Sequence, residues 1–365
     1  MFDQPLVFVR CLTYNHEAYI EDALNGFVMQ QTNFPYVVTI VNDASPDNTK
    51  QVLDNYIKEN CILDNVEHTH TDYADIISAI PTGNTNCLLY ILNLHENHFG
   101  KKSHRPYYQH FVEKAKYWAE CDGDDYWINP HKLQKQVDFM EENEDCGLCY
   151  TDFNICNHSG DLIERSYFTE GKHTPILSFR EHLLRQGYIA PMTWMYRNSV
   201  YDSFKNRMLT GIIDGSYVAA LEFFANSKVL FIPMNTANYR RSFDSATRPT
   251  SQERLFRYRK DVYDIEKEYA KRYLSTDSSL LMFIQYKEML ELYPMALKVN
   301  NLEYIKFCQS LTRENNMYDL SLPFSFYSLE KSYNQIQTSY AYRLGKIILK
   351  PFSWLRKIFM KKSDN

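Results

Sequence analysis

Apolar and polar positions alternate along this chain in blocks. An apolar run from Pro5 to Cys11 is followed, after Asn15, by Ile20, Ala23, Leu24, Phe27 and Val28 at helical spacing. That is a strand, a loop and a helix, with Asn15 as the expected N-cap and Glu17, Glu21 and Asp22 in the early turns, where the helix dipole favours acids. The pattern repeats. Tyr36–Val41 reads as a valine-rich strand, Asn42–Thr49 as a polar loop in which Ser45 caps and Pro46 takes the first helical position, and Val52, Leu53, Tyr56 and Ile57 as the next apolar stripe. Two strand–loop–helix units in succession predict a doubly wound, mostly parallel sheet, whose ligands bind outside the carboxyl ends of its strands.

Residues 61–87 show no clear periodicity and read as an insertion. Leu88–Leu92 is the third expected strand, followed by a polar loop with His95, Glu96, Asn97, Lys101, Lys102 and Arg105. Pro106 is expected to open a helix reaching Lys116. Tyr117-Trp118-Ala119 then forms a strand that delivers Glu120-Cys121-Asp122-Gly123-Asp124-Asp125, and Asn129-Pro130 starts a helix with Leu133, Val137 and Met140 on its buried face. Further strands are expected at 147–155, 192–196 and 229–232, and helices at 179–186 and after Asp214. Residues 251–342 read as charged, tyrosine-bearing helices, an appendage to a domain at 1–250.

The acidic turn is the chemical centre of the pattern. Carboxylates this close repel one another, and a divalent cation offsets the cost. An all-oxygen donor set suits Mg²⁺ or Mn²⁺, which use one or two protein carboxylates and fill the other positions with water and phosphate. An acidic surface turn is the plain alternative. Convergence of three polar loops on one sheet edge argues for the metal–phosphate site.

Composition changes this picture little. The chain has 365 residues, 44% hydrophobic and 23% charged, with a formal net charge of -5, so no broad basic surface marks nucleic acid as a partner. Twenty-nine tyrosines suit sugar-binding surfaces or interfaces without proving either. No basic region followed by an apolar core opens the chain, and no apolar run is long enough to span a bilayer, so a cytoplasmic location with eight reduced cysteines is the expectation. Cys146, Cys149, Cys156 and His158 have spacing compatible with zinc, but neighbouring strand side chains point to opposite faces, and buried thiols are the default.

The ordered set Thr13-Tyr14-Asn15-His16, Asn42-Asp43-Ala44-Ser45 with Asp47 and Thr49, and Cys121-Asp122-Gly123-Asp124-Asp125-Tyr126-Trp127 followed by Lys132-Leu133-Gln134-Lys135-Gln136 resembles the family 2 glycosyltransferases of the GT-A fold, especially bacterial members that build envelope polysaccharides. The resemblance runs from about Pro5 to Ser245. It implies a GT-A-type sheet flanked by helices with a C-terminal helical region. It further implies inverting transfer of a sugar from a nucleotide-sugar donor, expected to be UDP-linked, to a hydroxyl of a glycan or lipid-linked saccharide. By that resemblance Asp43 bonds the uracil, Leu12, Tyr14, Asn15 and Ser45 line the donor pocket, and Asp122 holds the ribose side. Asp124, with Asp122, binds Mn²⁺ or Mg²⁺, and Arg240 or Arg241, in the segment with Tyr239, Ser242 and Ser245, meets phosphate.

The base is where the sequence departs from the family. The matching stretch reads Asp214-Gly215-Ser216-Tyr217-Val218-Ala219-Ala220-Leu221-Glu222, which places Ser216 where relatives carry an aspartate. Asp214 is the first candidate, with an N-cap as its plain role, and Glu222 and Asp152 are alternatives. Trp194 stacks on a sugar or belongs to the core. Two other readings stay open: a binding or scaffold protein that kept the donor pocket and lost its base, and a sugar-phosphate nucleotidyltransferase. The latter is disfavoured because Thr13-Tyr14-Asn15-His16 is neither glycine-rich nor basic.

The tail, 343–365, is a basic amphipathic stretch. Its Leu344, Ile347, Ile348, Trp354, Leu355, Ile358 and Phe359 recur at helical spacing with lysines and Arg356 between them, interrupted at Pro351. Contact of 344–362 with the inner face of an anionic membrane is the expectation, against a docked helix or a contact between copies in a homo-oligomer.

Overall fold

The computed structural model describes residues 2–99, 104–170, 173–185, 189–209, 215–241 and 249–314. The chain separates into two units. The first holds Met1–Thr250 together with Arg272–Leu274, and the second the remainder.

In the first unit, β1 (Val7–Thr13), α1 (Ile20–Val28), β2 (Tyr36–Asn42) and α2 (Thr49–Asn60) follow the hydrophobic pattern closely. β1 and β2 are almost wholly buried because both of their faces are covered, as expected for strands at the centre of a parallel sheet. The caps differ from the expectation. Helix α1 begins at Ile20 rather than beside Asn15, and Asn15 sits instead at φ 58°, its N–H donating to the Ser45 hydroxyl at 3.0 Å. Helix α2 likewise begins at Thr49, after Ser45 and Pro46 have been drawn into the loop.

The stretch 61–87, expected as an insertion, supplies the edge of the same sheet. β3 (Glu67–His70) pairs antiparallel with β4 (Ala74–Ala79), and β4 with β5 (Cys87–Leu94). All four β3 residues are exposed, so no apolar alternation betrays the strand. Beyond β5, the helix expected from Pro106 to Lys116 shrinks to a 3₁₀ turn at Arg105–Tyr107 and the short α3 (Gln109–Val112).

β6 (Tyr117–Glu120) follows, then β7 (Tyr126–Trp127), α4 (Lys132–Glu142), β8 (Cys146–Cys156), β9 (Leu162–Glu164) and α5 (Phe179–Arg185). The unit closes with β10 (Met195–Arg197), α6 (Asn198–Phe204), α7 (Gly215–Asn226) and β11 (Lys228–Arg240). The strand order is β3-β4-β5-β2-β1-β6-β10-β8-β11-β7, with β9 paired to β8. The sheet is the expected doubly wound arrangement, parallel in most of its paired length: β5, β2, β1 and β6 run together, as do β8 and β11. β1 has β2 on one side and β6 on the other, so the winding reverses at β1. The carboxyl end of β1 is therefore the topological switch point, where open α/β sheets bind ligands.

All eight cysteines are buried free thiols, from Cys11 in β1 to Cys308. Cys146, Cys149 and Cys156 are held singly within β8: the Cys146 thiol donates to the Leu148 carbonyl, Cys149 accepts from Gln136 and Cys156 donates to the Tyr239 carbonyl. Among the described residues they gather no metal-ligand cluster with His158.

The second unit is built from α8 (Gln252–Tyr273), α9 (Ser278–Val299) and α10 (Leu302–Glu314). Asn300 at φ 54° caps α9 in the left-handed conformation and turns the chain into α10. Between α8 and α9, Arg259 grips both oxygens of Glu291 at 2.7 and 2.6 Å, and Lys267 grips both of Glu288 at 2.9 and 2.8 Å. The charged composition of this region is thus spent on helix–helix contact. Among the described residues, no helix is long and apolar enough to cross a membrane.

Candidate active site

Three loops leave the carboxyl ends of β1, β2 and β6. The first two are interlocked. The His16 N–H donates to the Thr49 hydroxyl at 3.0 Å, the Glu17 N–H to Asp47 at 3.0 Å, and the Asn48 N–H back to Glu17 at 2.8 Å. Asp47 also accepts from the Thr49 N–H and hydroxyl, and these bonds hold its carboxyl below the usual range against the effect of desolvation. Asn15 and Ala44, at φ 58° and 54°, take the left-handed backbone that the tight interlock requires.

The acidic turn is laid along β1 by backbone bonds: Cys121 N–H to the Arg10 carbonyl at 3.0 Å, and Gly123 N–H to the Leu12 carbonyl at 2.8 Å. Gly123 is required here. A Cβ at this position would stand 2.7 Å from the Thr13 hydroxyl and 3.0 Å from His16 Nδ1. Those two atoms are themselves buried without a hydrogen-bond partner among the described residues, so unmet polar capacity lines the inner side of the turn. Beneath it, the Arg10 guanidinium pairs with the buried Glu120.

The three acids of the turn divide by environment. Asp122 is open to water although protein surrounds it. Desolvation by those surroundings raises its pKa, the charge of Asp124 adds to the rise, and Arg10 and a 3.4 Å bond from the Leu12 N–H oppose it. Asp124 is half-buried. Asp125 is buried, its carboxylate accepting from the Arg240 N–H at 2.7 Å, and burial followed by the Asp124 charge pushes it well above the ordinary carboxylate range. Asp125 therefore fixes the turn, while Asp122 and Asp124 remain accessible at the switch point.

At the end of β2, Asp43 is 7% exposed. Its Oδ1 accepts from the His98 N–H at 2.7 Å and lies 3.3 Å from His104 Nε2, and the Asn97 amide donates to its backbone carbonyl at 3.0 Å. Its Oδ2 takes no hydrogen bond from the described residues. The His98 and His104 rings stack at 5.5 Å. Desolvation lowers the His104 pKa even though Asp43 pulls it upward.

Residues 11–85 match the family described as Glycosyl transferase family 2, a stretch that begins in β1 and contains both interlocked loops. Over that stretch the chain is similar to the family 2 glycosyltransferases. Uncharacterized protein Rv1520 of Mycobacterium tuberculosis is 25% identical to it over 242 residues, 63% of this chain, and the match spans only 57% of that relative's length. A putative teichuronic acid biosynthesis glycosyltransferase, TuaG of Bacillus subtilis, is 27% identical over 164 residues, 44% of this chain and 52% of the relative. Among solved structures, S. aureus TarS in complex with UDP-GlcNAc shares 14% identity over 90% of this chain and 91% of that one, with a TM-score of 0.48. That likeness adds nothing to the fold already described.

Several of the expected site residues hold other posts. Arg240, expected at phosphate, is buried and committed: it donates to the Asp124 carbonyl at 2.9 Å, the His158 carbonyl at 3.1 Å and Asp22 at 2.7 Å, with its guanidinium over Tyr19 and Tyr126. It clamps the acidic turn from behind. Glu222 is fully buried in α7 and accepts from Tyr273 at 2.6 Å, Asn226 at 3.0 Å and Arg272 at 3.2 Å, so it is a structural anchor and not a base. Asp152 is fully buried in β8 and accepts from the N–H groups of Phe153, Phe168 and Thr169 and from the Thr169 hydroxyl, which consumes both oxygens. Trp194 is core, its indole N–H donating to the Ile189 carbonyl at 3.2 Å.

Asp214, with Ser242, Ser245 and the tail at 343–365, lies outside the described residues. Tyr14, Asn15, Leu12 and Ser45 stand at the switch point, with Tyr14 and Asn15 exposed and Leu12 and Ser45 partly so. The contacts of His98 and His104 with Asp43 were not foreseen from sequence. The polar loop 93–105 advertised those histidines, but nothing in their spacing tied them to Asp43.

Proposed function

We propose that this chain is an inverting, metal-dependent glycosyltransferase that moves a sugar from a nucleotide-sugar donor, UDP-linked, to a hydroxyl of a glycan or lipid-linked saccharide in envelope polysaccharide synthesis. The observation that carries the reading is the division of the acidic turn at the switch point. Two carboxylates stay accessible beside an unpartnered Thr13 hydroxyl and His16 nitrogen, while Asp125 and Arg240 lock the turn from behind. The likeness to a putative teichuronic acid biosynthesis glycosyltransferase supports the polysaccharide side.

Asp124 and Asp122 would hold Mn²⁺ or Mg²⁺. Their oxygen donors and mutual crowding, felt in the raised Asp122 carboxyl, fit a hard divalent cation. Such an ion neutralises charge developing on a departing diphosphate. The Oδ2 of Asp43, which takes no hydrogen bond from the described residues, is the acceptor offered to the imide N–H of uracil, with Oδ1 kept in place by His98 and His104. In the transfer, the acceptor oxygen bonds to the anomeric carbon as the bond from that carbon to the donor phosphate breaks. The electron pair leaves with the nucleoside diphosphate and the hydroxyl proton passes to a carboxylate, for which Asp214, immediately before α7, is the candidate. Contact of the basic stretch 344–362 with an anionic membrane would bring a lipid-linked acceptor to the same protein.

Calorimetry with UDP and Mn²⁺ tests the donor site. Binding should require the metal, and Asp124→Asn should weaken it at least about tenfold, the loss of one charge-assisted contact. Metal-independent binding, or none, overturns the assignment. Slow release of UDP from a UDP-sugar, abolished by Asp214→Asn, tests turnover separately.

A further inference from the structure

A second cluster of potential ligands stands away from the acidic turn, on the sheet edge formed by β3, β4 and β5. His70 in β3 is the cross-strand partner of Asp75 in β4, so their side chains share one face. Asp75 is in turn opposite Asn93 of β5, and His95 follows two residues later, its N–H bonded to the Tyr73 carbonyl at 2.9 Å. Three neighbouring segments thus bring an imidazole, a carboxylate and an imidazole together. His70 Nδ1 is 2.7 Å and His95 Nε2 3.4 Å from the same oxygen, Asp75 Oδ1, and the donor atoms of all three lie within 4.8 Å of one another.

The hydrogen-bond roles point to a cation. His95 Nδ1 lies 3.4 Å from the Asp72 carbonyl, an oxygen that can only accept, and Nε2 faces Asp75 Oδ1, which when ionised can also only accept. A neutral imidazole has one N–H and satisfies one of the two. With its proton on Nδ1, the Nε2 lone pair and the Asp75 carboxylate confront each other, and a metal between them turns repulsion into coordination. A backbone carbonyl on the far nitrogen is the outer partner that metal-binding histidines ordinarily have. Lys50 takes the other oxygen, Oδ2, at 3.1 Å and leaves Oδ1 to the histidines.

We propose that His70, Asp75 and His95 form a transition-metal site, best suited to Zn²⁺. Two imidazoles and one carboxylate favour zinc and its neighbours over magnesium, in contrast to the all-oxygen acidic turn. Metal bonds of about 2.0–2.2 Å hold ligand atoms roughly 3–4 Å apart, within reach of small side-chain rotations from the geometry observed. Three protein ligands leave a position for water or an anion. His70 and Asp75 also border an open cavity of about 760 Å³ with Lys50 and Lys58 on its wall. The site would also brace the segment 95–98, whose Asn97 and His98 hold Asp43.

The test uses the full chain, stripped with a chelator and titrated with Zn²⁺ by calorimetry and with Co²⁺ by visible absorption. One Zn²⁺ should bind to the Asp122→Asn, Asp124→Asn double variant, with the Co²⁺ spectrum of a mixed nitrogen and oxygen site. His70→Gln and His95→Gln should each weaken that binding beyond the roughly 10–100-fold typical of losing an outer partner. Both side chains are solvent-accessible, so circular dichroism should be unchanged. Should the acidic-turn variant misfold, the wild-type stoichiometry should fall by one on His70→Gln, His95→Gln substitution. Zinc binding that survives the histidine changes, or no zinc binding by the wild-type chain, overturns the proposal.

Discussion

Gly123 sets the geometry of the acidic turn more tightly than any acid in it. The turn can bond to β1 only because no Cβ stands between it and Thr13. In Gly123→Ala the turn or Thr13 must move by several tenths of an ångström at least, and misplacement on the order of 1 Å costs about 100-fold in a positioned site. UDP and Mn²⁺ affinity measured by calorimetry should fall at least tenfold on that scale, with thermal stability changed far less. Equal affinity would mean that the turn does not hold the donor. His182 in α5 poses a different residue-scale problem. It is fully buried beside Tyr217 and Phe224, with both ring nitrogens unpartnered among the described residues, and burial pushes its pKa down to about 3. The folded state therefore favours neutral His182. Its stabilising contribution is complete above the ordinary histidine value of 6.5 and is lost progressively as the pH falls from there toward 3, about 5 kcal/mol over the full window. The decline in urea midpoint between about pH 6.5 and 4.5 should be shallower in His182→Leu; an unchanged decline would refute the assignment.

At the scale of elements, charge works beside apolar packing in the second unit, where Val262, Ile265, Ile284 and Leu292 are buried. Glu288 in α9 is fully buried and its two oxygens face Lys267 of α8, so Lys267→Ala strands a carboxylate in the interior. The cost should be about 3–5 kcal/mol in a denaturation curve, against a much smaller loss for Lys267 and Glu288 replaced together by apolar residues. Apolar packing also explains what the sequence disclosed. β1, α1, β2, α2, β6 and α4 were legible because their apolar stripes have a clean period and their polar loops fall at strand ends. β3 was not, because an exposed edge strand has no buried face to mark it. The caps misled for a related reason: Asn15 and Ser45 are good cap residues, but the Ser45 hydroxyl accepts from the Asn15 backbone N–H across two loops, and Asn15 itself takes the left-handed backbone. In the site, the roles of Asp125, Asp122 and Asp124 follow from position in one turn and could be read locally. Arg240, Glu222 and Asp152 could not, since their partners lie as far away in sequence as Asp22, Arg272 and Thr169.

At the scale of the whole chain, the boundary between units does not coincide with one cut in the sequence. Arg272–Leu274 count with the first unit, and Arg272 and Tyr273 satisfy the buried Glu222. A fragment ending at Thr250 would take the Arg272 and Tyr273 bonds away from that carboxylate, whereas one ending at Leu274 keeps them. At about 3–5 kcal/mol for a broken buried pair and about 2–4 °C per kcal/mol, the shorter fragment should melt on the order of 10 °C lower by calorimetry. Equal melting temperatures would show that Glu222 finds other partners.

The eight buried thiols have a consequence of their own. Cys11, Cys121 and Cys149 have their pKa values raised chiefly by burial, and a thiol reacts as its thiolate, so alkylating reagents reach them only when the surrounding structure opens. Spread over β1, the end of α2, β5, the acidic turn, β8 and α10, they amount to a set of internal clocks, each timing the opening of its own neighbourhood. Cys121 adjoins Asp122 and Cys11 adjoins Leu12, so these two clocks run beside the proposed donor site, and slower labelling there would record occupancy without any need for turnover.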